Sequence, residues 1–201
     1  MLKRLFDIVA SLCGLVVLSP FIIVFSVIIA LTDGFPIIFF QRRVGLSCKM
    51  FTMYKFRTMK TVSLQVDIAD LGDNSRVTKI GAILRKTKFD EVPQLFNVLK
   101  GDMSIVGPRP ELKSRLQYHK SHWKKVYSVR PGITGNSSII YRNEEELLSS
   151  VSNPQQYYID VLLPKKIVLY EDYVDNRSFW YDIKIIFKTI GAMLGKSYEK
   201  I

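Results

Sequence analysis

The chain has 201 residues, 48% of them hydrophobic, and 29 Lys and Arg against 18 Asp and Glu give it a formal net charge of +11. This length excludes two large catalytic domains, and the hydrophobic content excludes an intrinsically disordered chain. The excess of cations predicts an anionic environment, which nucleic acid, lipid headgroups or phosphorylated substrates would provide.

The N-terminal region is an apolar segment without charge from Ile8 to Leu31. It is long enough to cross a bilayer, which takes roughly 20 residues, and longer than the apolar core of a cleaved signal peptide, about 7–15 residues. The pair Ser19-Pro20 interrupts it. Because proline removes a helical hydrogen bond, we expect the axis to bend there.

Both flanks of this segment are basic. Lys3 and Arg4 precede it, and a stretch rich in Lys and Arg from Arg42 to Lys60 contains no acidic residue. The positive-inside tendency places both flanks on the cytoplasmic side, which a re-entrant hairpin satisfies and a single span does not, although prolines also occur in spanning helices. We therefore predict that residues 1–36 form a re-entrant membrane anchor with its kink at Ser19 and Pro20.

The segment from Phe39 to Met59 mixes aromatic, β-branched and basic residues around Gly45. This pattern predicts a small β-hairpin near residues 37–58. Cations interleaved with aromatic side chains are typical of a single-stranded nucleic-acid platform, and equally of a ledge at the level of lipid headgroups. The apolar segment just upstream favours the ledge.

Residues 79–100 carry apolar side chains at the spacing of two helices that meet near Thr87–Pro93. Since proline is tolerated in the first turn, we predict that the second helix starts at Asp90 or Glu91. The helix dipole favours ionised carboxylates there, as do the neighbouring cations Arg85, Lys86 and Lys88. Taken alone, an acidic pair at a helix start indicates a stabilising cap.

The next ten residues, GDMSIVGPRP at 101–110, contain two glycines and two prolines that predict a rigid irregular loop around Arg109. A stiff loop that presents one arginine suits phosphate recognition. Its position directly after the acidic pair favours a functional site over a plain helix cap.

Three blocks carry a resemblance to a known family: KFRTM at 55–59, LRKTKFDEVPQLFNVLKGDMSIVGPRP at 84–110 and RPGITG at 130–135. They resemble the signature blocks of the bacterial sugar transferases, the monotopic phosphoglycosyl transferases. The N-terminal KRLFD with its later Ser-Pro resembles the re-entrant membrane helix of that family. The similarity extends from Lys3 to about Ile190.

The resemblance implies that Asp90 is a nucleophile that attacks the phosphate bonded to the sugar of a UDP-sugar. UMP would leave, and a covalent phosphosugar-aspartate would remain until a polyprenyl phosphate, such as undecaprenyl phosphate, attacks it and regenerates the carboxylate. Glu91 would hold Mg²⁺ against the diphosphate, because this ion needs only one or two protein carboxylates.

Four further residues match positions of the family that are expected near the substrate. Lys55, Arg85 and Arg109 match positions that contact the phosphates of the substrate, and Asp182 matches an acidic position near the active site. Outside these blocks, the three cations would be interpreted as solvated surface charges.

Near the C-terminus, one face of a predicted helix carries apolar side chains, namely Phe179, Ile183, Ile186, Phe187 and Ile190. Such a helix either packs against the core or lies amphipathically in the membrane interface, and the combination of aromatic residues with lysines favours the interface.

One segment departs from the family pattern. After RPGITG, residues 136–141 read NSSIIY, and an acidic run follows at Glu144–Glu146. The segment 136–164 lies where selectivity for the sugar and the nucleotide is expected, so the resemblance does not specify the donor sugar.

Together these features predict a mainly helical α+β fold with a re-entrant membrane helix. Residues 37–201 would form a compact, cytoplasmic, membrane-associated catalytic domain with interfacial amphipathic helices and a small β-hairpin. The predicted partners are a UDP-sugar, polyprenyl phosphate and membrane lipids, without nucleic acid. The sequence does not specify an oligomeric state.

The resemblance places this enzyme at the cytoplasmic face of a bacterial inner membrane, where it would initiate a capsule, exopolysaccharide, O-antigen or glycoprotein glycan. The rival hypothesis is a nonenzymatic, membrane-tethered basic protein that binds anionic lipid or nucleic acid. That hypothesis explains the charge and the anchor, but it gives no reason for an Asp-Glu pair beside GPRP.

Overall fold

The computed structural model describes residues 2–60 and 75–198. Met1, residues 61–74 and residues 199–201 lie outside the described residues. The first of these belongs to the predicted anchor 1–36, and the others belong to the predicted domain 37–201.

Helix α1 is the longest element and extends from Leu2 to Thr32. It is long and apolar enough to cross a membrane, and it is the one such helix in the described part of the chain. Many of its apolar side chains are exposed, including Leu12, Val16, Val17, Ile23, Val27 and Leu31. This exposed apolar surface is what a membrane anchor requires.

The predicted interruption at Ser19 and Pro20 does not end the helix. Proline has no N–H to donate to the carbonyl of Val16, four residues earlier. The Ser19 hydroxyl donates to that carbonyl oxygen instead, at 2.7 Å. The Ser-Pro pair therefore supplies a replacement donor for the hydrogen bond that proline removes, and α1 continues to Thr32.

Both ends of α1 are attached to the rest of the protein. Near its start, Arg4 donates to the carbonyl oxygens of Val98 and Leu99, at 2.6 and 3.0 Å. Just beyond its end, Arg57 donates to the carbonyl oxygens of Asp33 and Gly34, at 2.6 and 2.5 Å. These contacts hold α1 lengthwise against the folded domain.

The predicted hairpin is confirmed. Strands β1 (Ile38–Val44) and β2 (Met50–Phe56) pair antiparallel, with Ile38 opposite Phe56 and Val44 opposite Met50. The side chain of Asn97 fixes the hairpin to the helix below it by accepting from the Tyr54 N–H at 3.0 Å and donating to the Thr52 carbonyl at 2.7 Å.

The remaining described elements are mostly short helices. They are α2 (Lys79–Thr87), α3 (Gln94–Lys100), α4 (Lys120–Val126), α5 (Asn136–Ile140), α6 (Glu144–Ser149), α7 (Pro154–Tyr157), α8 (Leu163–Asn176) and α9 (Phe179–Met193). A turn of π-helix, Tyr158–Leu162, joins α7 to α8. The mainly helical α+β class is thereby confirmed.

A second, parallel sheet was not predicted. Strand β3 (Ser104–Val106) pairs with β4 (Gly132–Thr134), so the GDMSIVGPRP and RPGITG blocks lie side by side. A Cβ added to Gly107 would lie 2.5 Å from the Arg130 carbonyl oxygen, which explains why this approach needs glycine. The loop around Arg109 therefore begins at the end of a strand.

The largest core cluster lies between α4 and α8, where Trp123 and Tyr127 stack on each other and pack with Ile167 and Tyr170. Helix α9 covers a second cluster through Ile185 and Ala192. The predicted apolar face of α9 is only partly the packed one, because Phe187 and Ile190 are exposed. Core packing is therefore confirmed for the side of α9 that carries Ile185 and Ala192, and the placement of its exposed apolar side in the membrane interface stays a prediction.

Candidate active site

The acidic pair lies between two helices rather than in the first turn of one. Helix α2 ends at Thr87, and Lys88 adopts a left-handed conformation with φ 60°, which turns the chain. Asp90 and Glu91 then lie in a 3₁₀ turn, Phe89–Glu91, and α3 begins at Gln94 after Pro93. The prediction that the second helix starts at Asp90 or Glu91 is wrong by one turn.

Glu91 is the centre of a charge cluster. The Lys55 ammonium on β2 and the Arg109 guanidinium after β3 each donate to its Oε1 at 2.8 Å. Burial alone would raise the pKa of Glu91, but the charges of Arg109 and Lys55 outweigh burial and hold this pKa well below its usual range. Glu91 is therefore ionised, and the block at 55–59 meets both ends of the block at 84–110 at its carboxylate.

Asp90 lies in a different environment from that of its neighbour. Its side chain is buried, and Oδ1 has no hydrogen-bond partner among the described residues. Burial raises the pKa of Asp90, which Lys55 opposes and the negative charge of Glu91 reinforces. Lys88 does lower the pKa of Asp90, as expected from the sequence, but the penalty for burying the charge exceeds the attraction of the cations, and the net shift is upward.

Two of the predicted substrate-binding residues lie outside this cluster. Arg85 donates to the Thr58 hydroxyl at 3.0 Å and to Glu145 at 3.3 Å. Asp182 accepts from the Lys3 ammonium at 2.5 Å and from the Tyr173 hydroxyl at 2.8 Å. In this state, Asp182 joins the start of α1 to α9, and it makes no contact with Glu91, Lys55 or Arg109.

A cavity of about 320 Å³ adjoins the cluster and includes Glu91 and Arg109 in its wall. This volume is at the lower end of the usual range for ligand sites, about 300–1,000 Å³. Its other charged lining residues are Lys88, Arg142, Glu144, Glu145 and Lys166. Several of them belong to the divergent segment 136–164, so the structure places that segment beside the acidic pair.

Lys166 lines the cavity, although no sequence pattern predicts that it belongs to the site. Its ammonium is almost fully buried and donates to Glu144 at 2.9 Å and to the Tyr158 hydroxyl at 3.0 Å, with Glu111 Oε1 3.4 Å away. A lysine in a helix is usually a solvated surface charge, and no local motif distinguishes this one.

A buried carboxylate supports the loop that carries Arg109. Glu111, two residues further on, accepts from the hydroxyls of Tyr158 and Tyr170 at 2.9 and 3.0 Å and from Arg115 at 2.7 Å. Burial would raise its pKa, but the charge of Lys166, followed by those of Arg115 and Arg43, holds the pKa well below its usual range. This network fixes the chain just beyond GPRP.

The acidic pair fits a magnesium ion that a substrate helps to coordinate. Among the described residues, no cluster of three or more His, Cys, Asp or Glu side chains would hold a metal. Mg²⁺ needs only one or two carboxylates when phosphate oxygens and water complete its shell. Glu91 could supply one, since its Oε2 takes no part in the two ion pairs, and the unpartnered Oδ1 of Asp90 is a further acceptor.

Comparison with known proteins gives a consistent result. A family model described as "Bacterial sugar transferase" matches residues 1–196. An uncharacterized sugar transferase, EpsL of Bacillus subtilis, is 40% identical to the chain over 198 residues, which cover 96% of this chain and 87% of that protein.

Two relatives carry names that describe an activity. One is the UDP-N-acetylgalactosamine-undecaprenyl-phosphate N-acetylgalactosaminephosphotransferase of Aeromonas hydrophila, 36% identical over 96% of this chain and 44% of that protein. The other is the UDP-glucose:undecaprenyl-phosphate glucose-1-phosphate transferase of Klebsiella pneumoniae, which is 37% identical over 94% of this chain and 39% of that protein. The chain thus spans less than half the length of each.

Proposed function

Since this chain belongs to the bacterial sugar transferase family, we propose that it transfers a sugar 1-phosphate from a UDP-sugar to undecaprenyl phosphate and releases UMP. The family confirms the sequence-based prediction of a phosphoglycosyl transferase and removes the rival hypothesis of a nonenzymatic basic protein. The proposal names no particular sugar, because the relatives' names carry different ones.

The main support for this proposal is that the carboxylates of Asp90 and Glu91 lie in different environments. Glu91 is ionised and bound by two cations, whereas Asp90 is buried with a raised pKa and an unpartnered oxygen. Two adjacent carboxylates in such different environments suit different tasks. Glu91 would orient Lys55 and Arg109 toward phosphate, and Asp90, the more basic of the two, would be the nucleophile.

In the proposed first step, an oxygen of Asp90 forms a bond to the phosphorus that carries the sugar. The bond from that phosphorus to the bridging oxygen of UMP breaks, and UMP leaves with the electron pair. Arg109 and Lys55 would stabilise the charge on the phosphate oxygens. When bound at Glu91, Mg²⁺ would neutralise further charge on the diphosphate.

In the second step, a phosphate oxygen of the acceptor attacks the same phosphorus. The bond to Asp90 breaks, the carboxylate is restored, and the product is an undecaprenyl diphosphate sugar. Such a product would be the first lipid-linked intermediate of a bacterial polysaccharide or glycan, as predicted from the sequence.

We also propose that α1 enters and leaves the membrane on its cytoplasmic side. A straight helix of this length extends about 46 Å, enough to place its ends on opposite sides of a core of about 30 Å. The contacts of Arg4 near one end and of Arg57 just beyond the other, both within the same domain, argue against that arrangement. The predicted re-entrant anchor, with Ser19 and Pro20 at mid-length, agrees with these contacts.

Two experiments test these proposals. Purified protein with Mg²⁺ and undecaprenyl phosphate should release UMP from at least one sugar in a panel of UDP-sugars, and the absence of UMP with every donor would contradict the activity. For the anchor, single cysteines at Gly34 and Phe35 should react with membrane-impermeant reagents only from the cytoplasmic side. Labelling from the periplasmic side would show a span.

A further inference from the structure

The cavity beside Glu91 has a wall that a nucleotide sugar does not explain. In addition to its charged residues, apolar side chains from five parts of the fold line it: Leu18, Val92, Leu95, Ile133, Ile139, Ala192 and Met193. The diphosphate, ribose and hexose of a UDP-sugar are polar groups, and its flat uracil ring, although apolar on its faces, carries hydrogen-bonding groups on its edges. An apolar wall of this extent instead favours an apolar ligand group, because burial of such surface is the main source of its binding energy.

Part of this wall comes from the membrane helix itself. Leu18 is half-buried and faces the cavity, whereas its neighbours Val16 and Val17 are 66% and 69% exposed. One turn earlier, Gly14 packs against Leu95, since a Cβ added to Gly14 would lie 3.2 Å from Leu95 Cδ1. The cavity therefore begins one turn beyond the contact between α1 and α3, immediately before Ser19 and Pro20.

The opposite wall is formed by the last turns of α9. Thr189, Ala192 and Met193 line the cavity, while Phe187 on the same helix and Leu194 directly after it are 69% and 80% exposed. The cavity is thus bordered by two helices that each expose apolar side chains. Methionine is well suited to such a wall, because its flexible side chain adapts to an irregular apolar ligand.

A cation without a carboxylate partner lies at the same place. The guanidinium of Arg142 donates to the carbonyl oxygen of Ala192 and makes no ion pair among the described residues. Arg109, by contrast, is held by Glu91. Arg142 is therefore available for an anionic group whose apolar continuation lies between α1 and α9.

We propose that the first isoprene units of the polyprenyl acceptor occupy the apolar part of this cavity, between Leu18 and Met193, with the acceptor phosphate beside Arg142 and toward Glu91, the neighbour of Asp90. This proposal rests on the proposed function, since it concerns the second of the two transfer steps. In that step the acceptor oxygen forms the new bond to phosphorus, and the oxygen of Asp90 leaves as a carboxylate. The donor half of the reaction uses the charged wall and does not need Leu18.

The test separates the two steps. UMP release without lipid measures the first, and the dependence of turnover on undecaprenyl phosphate concentration measures the second. Leu18→Gln and Met193→Gln are compared with Val17→Gln and Phe187→Gln, which add the same amide to the same two helices at exposed positions outside the cavity. The lipid-free UMP burst also reports whether each variant is folded.

We expect Leu18→Gln and Met193→Gln to keep the rate of the UMP burst and to raise the KM for undecaprenyl phosphate about tenfold or more, the scale expected from losing one apolar side chain that the bound lipid would cover. The two control variants should change this KM by less than about twofold. The effect should persist with a water-soluble, short-chain prenyl phosphate, because this analogue retains the first isoprene units, which are the ones proposed to contact the apolar wall.

Two results would overturn the inference. Equal acceptor KM values for the cavity variants and their controls would show that the acceptor chain binds elsewhere. A slower UMP burst in Leu18→Gln, without a change in acceptor KM, would assign the apolar wall to the donor. Failure of the proposed function looks different, because the unaltered enzyme would then release no UMP from any UDP-sugar.

Discussion

Lys55 and Arg109, which are 54 positions apart in the sequence, donate to the same oxygen atom, Oε1 of Glu91, each at 2.8 Å. One comes from the hairpin and the other from the loop that follows β3. A shared acceptor fixes both cations at once, so that the phosphates of the proposed donor would meet cations that are already in place. Such preorganisation is where much of the electrostatic stabilisation of a transition state originates.

The first prediction concerns the geometry of Arg109. Arg109→Lys keeps the charge but removes the planar fork of donors, so we expect kcat/KM for UMP release to fall about 10- to 100-fold, the scale of a lost hydrogen bond to a charged group. Arg42→Lys, a change at an exposed position of β1, is the matched control. Initial rates of UMP release measure both. Wild-type activity in Arg109→Lys would assign Arg109 to the surface.

The second prediction is a pH dependence. In the proposed mechanism Asp90 would react as the carboxylate, and burial raises its pKa, so the lipid-free UMP burst should increase with pH through a pKa above the ordinary value for an aspartic acid. Lys55 opposes this shift. Replacing it in Lys55→Met should therefore move the acid limb to still higher pH. A profile that is flat from pH 4 upward would mean that Asp90 is not the titrating group.

The third prediction is that Asp90→Asn, which should be inactive, is more stable toward unfolding than the wild type. The folded-state pKa of Asp90 lies above its unfolded value, so stability is lost as the pH rises from the ordinary carboxyl range through the raised pKa. Asp90→Asn lacks this loss. At pH 7 we expect it to be more stable than wild type, and at pH 3 the difference should vanish. Thermal unfolding in one detergent at both pH values measures this, and a less stable Asn variant at pH 7 would contradict it.

The fourth prediction concerns the network below the GPRP loop. Glu111→Gln removes a buried charge that faces Lys166 and Arg115, so we expect a loss of about 3–5 kcal/mol in the free energy of unfolding. Tyr170→Phe removes one hydrogen bond to the same carboxylate and should cost about 1 kcal/mol. Denaturant titrations compare the two with Glu146→Gln, a control at an exposed position. Equal effects of the Glu111 and Glu146 changes would exclude a structural role for the network.

The features that local patterns specify were predictable from the sequence. Aromatic residues mixed with basic ones around Gly45 predicted the hairpin, and an uncharged apolar segment predicted the long helix α1. The strands β3 and β4 were not predicted, because a strand of three residues is too short to show the alternation of apolar and polar side chains. Their pairing also depends on the close approach of the backbone at Gly107 to that at Arg130, which is distant in the sequence.

At the candidate site, block membership selected Glu91, Lys55 and Arg109, which the structure brings together. It could not show that Arg85 pairs with Glu145, or that Asp182 pairs with Lys3, because those contacts depend on packing between distant segments. The pKa direction of Asp90 was missed for the same reason. Its nearby cations are visible in the sequence, whereas its burial is a property of the folded chain.

The central claim is that Asp90 forms a covalent bond to the sugar phosphate before any lipid is needed. The most direct measurement is intact-protein mass spectrometry after incubation with a UDP-sugar substrate and Mg²⁺, without undecaprenyl phosphate, followed by peptide mapping. We expect the peptide that contains Asp90 to gain the mass of one sugar phosphate and an equivalent amount of UMP to be released. In Asp90→Asn we expect no adduct and no UMP. Normal turnover by Asp90→Asn, or UMP that appears only when the lipid acceptor is present and without an adduct, would contradict it and indicate direct transfer in a ternary complex.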